Sequence, residues 1–147
     1  MIFRNARQNE ADVLTRLTLA SKRHWGYPEE WMKIWEDELT IRPAYIAENM
    51  VVVAEEDAEL LGYISIRKRG DQGFFLDNLF IRPSHMRKGI GEKLLAIALD
   101  WCRQRRIAQL NVCSDPFSKG FYEKTGAAYI REIPSEAIPG RTLPFFT

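Results

Sequence analysis

The sequence predicts an α/β domain, and three observations carry that expectation. Apolar runs of strand length, Met50–Glu55, Leu60–Lys68 and Leu76–Ile81, recur with polar or glycine-bearing turns between them. Segments with apolar residues at helical spacing lie on either side of those runs. The stretch from Leu76 to Leu95 joins the two kinds, reading as strand, bend and helix in succession.

In chain order, Ile2–Ala6 suits a short first strand, and Asn9 suits a helix cap followed by Glu10 and Asp12 in the first turn. Val13, Leu14, Leu17 and Ala20 form the apolar stripe of that helix, which ends near Lys22 and Arg23. His24-Trp25-Gly26-Tyr27 is a loop, and Pro28 opens a helix carrying Trp31, Trp35 and Leu39 on one core-facing side. Arg42–Asn49 is a short helical connection before two strands around the polar turn Glu56–Glu59. Phe74 opens a central strand that Arg82-Pro83 stops, because proline cannot donate to a ladder.

The helix that follows buries Leu94, Leu95, Ala98, Trp101 and Cys102 and ends on Arg103, Arg105 and Arg106. Ile107–Cys113 is the next strand. Asp115-Pro116 reads as a cap and first-position proline of a short helix through Phe121 and Tyr122, closed by Gly126. Ala127–Glu132 and the tail Arg141–Phe146 supply the last strands, the tail at an edge.

At 147 residues the chain has the size of one ordinary domain, residues 1–147, without internal repeats or linkers. A formal charge of +1 argues against a broad nucleic-acid surface. No apolar run is long enough to span a bilayer, and no signal-peptide pattern opens the chain. Cys102 and Cys113 lack metal-ligand or CxxC spacing and read as reduced thiols, so a cytoplasmic protein without a metal centre is expected.

Function is most legible at Met86-Arg87-Lys88-Gly89-Ile90-Gly91, a basic turn feeding a helix N-terminus. Free N–H groups and the positive end of the helix dipole favour phosphate there, and glycine permits close approach. Alone, the turn is equally compatible with a tight connection that binds nothing. It fits neither the dinucleotide fingerprint, which would need glycine at Leu94, nor the P-loop.

A second element sharpens the reading. Arg87-Lys88-Gly89-Ile90-Gly91-Glu92 resembles the pyrophosphate turn, Gln/Arg-x-x-Gly-x-Gly/Ala, of the GNAT superfamily of acyl-CoA N-acyltransferases. Phe121-Tyr122-Glu123-Lys124-Thr125-Gly126 resembles that family's later Phe-Tyr-Glu-Lys-x-Gly segment, at the matching spacing and in the matching element. The resemblance implies a mixed, mainly antiparallel central sheet flanked by helices, with a splay between the fourth and fifth strands. It implies acetyl-CoA as cofactor and transfer of the acetyl group to a primary amine by direct attack. Leu79, Phe80 and Ile81 would meet the pantetheine, and Met86 through Glu92 the pyrophosphate, with Phe121 and Lys124 nearby. Tyr122 would be the general acid that protonates the departing thiolate.

Met86 and Asp115 depart from the family pattern, which has glutamine or arginine and asparagine at those points. Such departures would suit a non-catalytic acyl-CoA-binding or sensing module, whereas the retained Tyr122 argues for turnover. For the base, Asp77 is the first choice, His24 the rival, and water the third option. Simple alternation puts Asp77 on one face with Leu79 and Ile81, and Asn78 on the other with Leu76 and Phe80. Trp25, Tyr27, His24, Asn78 and Arg141 are the candidates for holding a small-molecule or peptide amine. The family's habit also leaves room for a homodimer through the tail.

Overall fold

The computed structural model describes residues 1–147, and its strands follow the sequence's apolar runs closely. β1 (Ile2–Asn5), β2 (Met50–Glu56), β3 (Glu59–Lys68), β4 (Phe74–Ile81), β5 (Leu110–Cys113), β6 (Tyr129–Pro134) and β7 (Thr142–Phe146) form one sheet in the order β1-β2-β3-β4-β5-β7-β6. Only β4 and β5 run parallel; every other neighbouring pair is antiparallel.

The unbroken apolar run of β2 reflects burial on both faces, as expected for a strand covered on each side. Val51 and Val53 pack with Leu14 and Leu17 of α1 (Ala11–Arg23) and Ile46 of α3 (Pro43–Glu48). Met50, Val52 and Ala54 pack on the opposite face with Leu94, Leu95, Ala98 and Cys102 of α4 (Ile90–Gln104). A third, smaller cluster joins Met32 and Trp35 of α2 (Glu29–Trp35) to Leu39 and to Ile138 of the tail. α5 (Lys119–Lys124) closes the sheet's far end, with Tyr122 in the α4 core.

Four local expectations are corrected. A 3₁₀ turn at Gln8–Glu10 precedes α1, so Asn9 does not cap it; Glu10 instead receives Arg4 and the Arg7 N–H. α2 stops at Trp35, although the turn after it still buries Leu39. β5 begins at Leu110, because the chain leaves α4 through Arg106 at φ 56° and the Ile107 N–H returns to Cys102 O. The tail strand is not an edge. β7 inserts between β5 and β6, where Phe146 is fully buried, and β6 takes the edge.

Two irregularities create the space for a site. β4 and β5 pair only from Phe74↔Leu110 to Leu76↔Val112, so the rest of β4 faces a gap. β3 and β4 shift register between Ser65↔Asn78 and Ile66↔Leu76, which leaves Asp77 as a bulged residue. Alternation therefore fails there. Asp77 reaches Tyr45, on the same side as Asn78.

Candidate active site

The gap between β4 and β5 is part of a cleft of about 1860 Å³, bounded by the turn before α4, the start of α5, the loop after α2 and the tail.

At one end lies the Arg87–Gly91 turn. Arg87 has φ 62° and Gly89 φ 82°, so the backbone curls to present its amides before α4 begins. The N–H groups of Arg87 through Glu92 donate to no protein acceptor, and no side chain caps α4. Six consecutive donors at a positive helix end form a site ready for an anion. A side-chain Cβ at Gly91 would stand 3.3 Å from Phe121 Cε1, so the absence of one lets α5 pack against the turn. Met86, Arg87, Gly89, Gly91, Glu92, Phe121 and Lys124 line the cleft, and Lys124 pairs with Glu92 at 3.1 Å. Ile90 contributes its backbone only, since its side chain is in the core; Lys88 is exposed and outside the lining.

In the middle, Leu79, Phe80 and Ile81 present the unpaired reach of β4. Tyr122 of α5 also lines the cleft, only 5% exposed, and its hydroxyl makes no hydrogen bond within the protein. Burial pushes its pKa up, so the phenol stays protonated and remains a donor.

The bulge places Asp77 at the other end. Asn78 Nδ2 donates to Ser65 Oγ at 3.0 Å, Ser65 and the Tyr45 hydroxyl lie 2.9 Å apart, and Tyr45 donates to Asp77 Oδ2 at 2.5 Å. One set of protons satisfies this chain, with each hydroxyl donating once toward the carboxylate. Burial, then the Asp77 charge, pushes the Tyr45 pKa up. Arg69 Nη2 donates to Asp77 Oδ1 at 3.1 Å, and Arg67 Nε lies 3.8 Å from Oδ2.

A second polar cluster walls the cleft beside the start of α5. Asp115 caps the turn before α5 through the Phe117 N–H, as its Asp-Pro sequence predicts. The same carboxylate meets Lys22 Nζ at 2.7 Å, the Tyr27 hydroxyl at 2.8 Å and Arg141 Nη2 at 3.5 Å. Arg141 also donates to Tyr27 at 2.9 Å and lies over the rings of Tyr27, Trp31 and Trp35. Trp25 stacks on Phe117 with centroids 4.9 Å apart, and both line the cleft. Tyr27 stands behind that lining. His24 is exposed, its ring edge-on to Trp25, and does not line the cleft.

The sequence thus brings together Tyr122, Asp77, Asn78, Arg141, Trp25 and the turn around one cleft, and sets His24 apart. Sequence reasoning missed Tyr45, Ser65, Arg67, Arg69 and Lys22. Only the last had a local signal, as a cation one turn before the aromatic loop.

These features define a class, and comparison with known proteins gives it a name. The model of the acetyltransferase (GNAT) domain matches residues 10–132, and the chain belongs to that family. Acetyl-CoA is the acyl donor of GNAT acetyltransferases. Peptidyl-lysine N-acetyltransferase YiaC of Escherichia coli (strain K12) is 36% identical over 95 residues, which are 64% of this chain and 62% of that protein. The chain therefore spans less than two thirds of the length of this curated relative. The crystal structure of PaiA N-acetyltransferase from Thermoplasma acidophilum in complex with coenzyme A shares the fold, with a TM-score of 0.79 over 99% of this chain and 96% of that one, at 18% identity. A GNAT family acetyltransferase from Brucella melitensis in complex with acetyl-CoA is 26% identical, with a TM-score of 0.65 over 86% of this chain and 81% of that chain. No helix is long and apolar enough to cross a membrane.

Proposed function

We propose that residues 1–147 act as one acetyltransferase domain that moves an acetyl group from acetyl-CoA to a primary amine within a ternary complex. The observation that carries this reading is the run of six unpaired N–H groups, Arg87 through Glu92, sharing a cleft with the unpaired hydroxyl of Tyr122. The turn takes the pyrophosphate, and Leu79–Ile81 guide the pantetheine arm along the gap toward the bulge.

A neutral amine attacks the thioester carbonyl carbon; the new C–N bond forms and the C–S bond breaks. Tyr122 gives its proton to the departing thiolate and takes one back from solvent, a role supported by a phenol kept protonated by burial. Asp77 accepts the proton that the arriving ammonium loses before attack, directly or through water, and regains its charge by passing that proton to solvent; the proton released from nitrogen as the amide forms also leaves through water. It is favoured over His24 because it lines the cleft and is held in place by Tyr45 and Arg69. The Escherichia coli relative is a peptidyl-lysine N-acetyltransferase, so a lysine side chain within a peptide is among the acceptors this reading includes.

A non-catalytic acyl-CoA-binding module is the second reading, and the Met86 departure favours it. The Asp115 departure no longer does, since Lys22 and Arg141 neutralise that carboxylate. Free-thiol release from acetyl-CoA across a panel of amines, amino acids and lysine peptides separates the two. Release with any acceptor supports transfer; tight acetyl-CoA binding without release from any of them selects the binding module.

A further inference from the structure

Arg67 and Arg69 are more heavily equipped than Asp77 requires. Arg69 is fixed by a hydrogen bond to Asp77 and by stacking of its guanidinium 4.5 Å from the Phe75 ring centroid, yet it remains 37% exposed and commits Nη2 only; its Nε is buried without a partner, so the Nη1–Nη2 edge is what it can offer. Arg67 is 44% exposed and makes no hydrogen bond; its Nε approaches Asp77 only to 3.8 Å. Both line the cleft at the bulge. Two guanidinium groups thus share one carboxylate whose oxygens are already taken by Tyr45 and Arg69.

Other charges nearby do not use them. Glu136 of the tail and Glu38 after α2 line the cleft but approach neither arginine within ion-pair distance, and Asp37 is held by Arg42. The site is also remote from the phosphate-binding turn. Asp77 and Ile81 are four residues apart, about 13 Å along a strand, and the turn lies beyond Ile81. The acyl donor's phosphates therefore belong to the other end of the cleft.

A guanidinium fork fits a planar carboxylate, and stacking pre-organises Arg69 for that contact. We infer that Arg67 and Arg69 form the acceptor-recognition site for a carboxylate held close to the amine that is acetylated. The carboxylate is the acceptor's own, as in an amino acid, or an acidic side chain beside the target lysine of a peptide. This inference rests on the acetyltransferase reading above and names the substrate class for it. It also balances charge, because an ammonium arriving beside two arginines brings its own anion.

The test uses the whole chain and matched acceptor pairs: amino acids against their amides, and lysine peptides with glutamate against glutamine beside the lysine. Thiol release gives kcat/KM for each member, and calorimetry on the coenzyme A-loaded protein gives affinity even where turnover is zero. In at least one pair the carboxylate member is favoured by about tenfold or more, the range of a charge-assisted hydrogen bond. The pair that responds distinguishes free amino acid from peptide. In Arg67→Gln and in Arg69→Gln that ratio falls toward one, chiefly through KM; Arg67→Gln is the control against misfolding, since its side chain is the more exposed. Equal binding of both members in every pair, or a ratio unchanged in both variants, overturns the inference. A carboxylate preference in binding without any thiol release instead overturns the transfer reading and leaves the anion site standing.

Discussion

Lys22 Nζ and Asp115 Oδ2 lie 2.7 Å apart across 93 residues of sequence, with side chains only 12% and 16% exposed. Burial and pairing oppose one another in this contact. For Lys22 burial dominates and pulls the pKa down despite the carboxylate. For Asp115 burial pushes upward but loses to the charge and hydrogen bond of Lys22, helped by the Phe117 N–H and Tyr27, so its pKa falls. The pair ties α1 to the start of α5, and Arg141 brings the tail to the same carboxylate.

Neutralising the carboxylate leaves two largely buried cations without their partner. Asp115→Asn is expected to cost about 3 kcal/mol, or about 10 °C in Tm, and Lys22→Met in that background recovers part of it. The pH dependence follows from the depressed Asp115 pKa. Its contribution is present at pH values above the ordinary aspartate value of 3.8 and is lost as pH falls through the lower folded value. Melts of wild type and Asp115→Asn therefore differ near neutrality and converge in acid.

Tyr122→Phe separates chemistry from stability. The hydroxyl makes no hydrogen bond within the protein, so its removal leaves Tm unchanged or slightly raised. Loss of the proton donor lowers kcat at saturating substrates by about a hundredfold with acetyl-CoA affinity retained. Steady-state kinetics beside a thermal melt measure both; an unaltered kcat would remove Tyr122 from the mechanism.

Gly89→Ala tests the anion turn. A Cβ at Gly89 meets nothing within 4 Å, but φ is 82°, so the cost is backbone strain of about 1 kcal/mol. Relief of that strain flattens the curl that aims six amides outward. Acetyl-CoA is therefore expected to stabilise the variant against heat less than it stabilises wild type, by more than the lowered baseline accounts for.

How much of this could be read from the sequence depends on the range over which each feature is decided. The strand–bend–helix at Leu76–Leu95, the Asp115 cap and Phe121-Tyr122 follow from local periodicity, proline and glycine, and all three stand in the structure. The bulge at Asp77 does not, because it arises from pairing with Ser65 and Ile66 of β3, which no pattern within β4 records. Tyr45 is one aromatic residue on a six-residue helix until its hydroxyl finds partners 20 and 32 positions away. The tail resembles an edge strand because Pro144 lacks a donor and the segment ends the chain. Its place between β5 and β6 is decided by Phe146 filling the core beside Tyr122.

The base assignment makes the last prediction. If Asp77 removes the amine proton, its importance depends on whether the acceptor arrives protonated. Near pH 7 a lysine-type amine, with a pKa of about 10.4, is almost wholly ammonium, and Asp77→Asn is expected to lower kcat/KM by about a hundredfold. As pH rises toward the amine's own pKa, the neutral nucleophile becomes available from solution and the deficit shrinks. Asparagine keeps the shape of the bulge and an oxygen acceptor for Tyr45, which limits structural loss as an explanation. The measurement is kcat/KM against pH for wild type and variant with one acceptor. Converging profiles assign the proton to Asp77, whereas a constant ratio from pH 7 to 10 makes the residue an anchor and leaves water as the base.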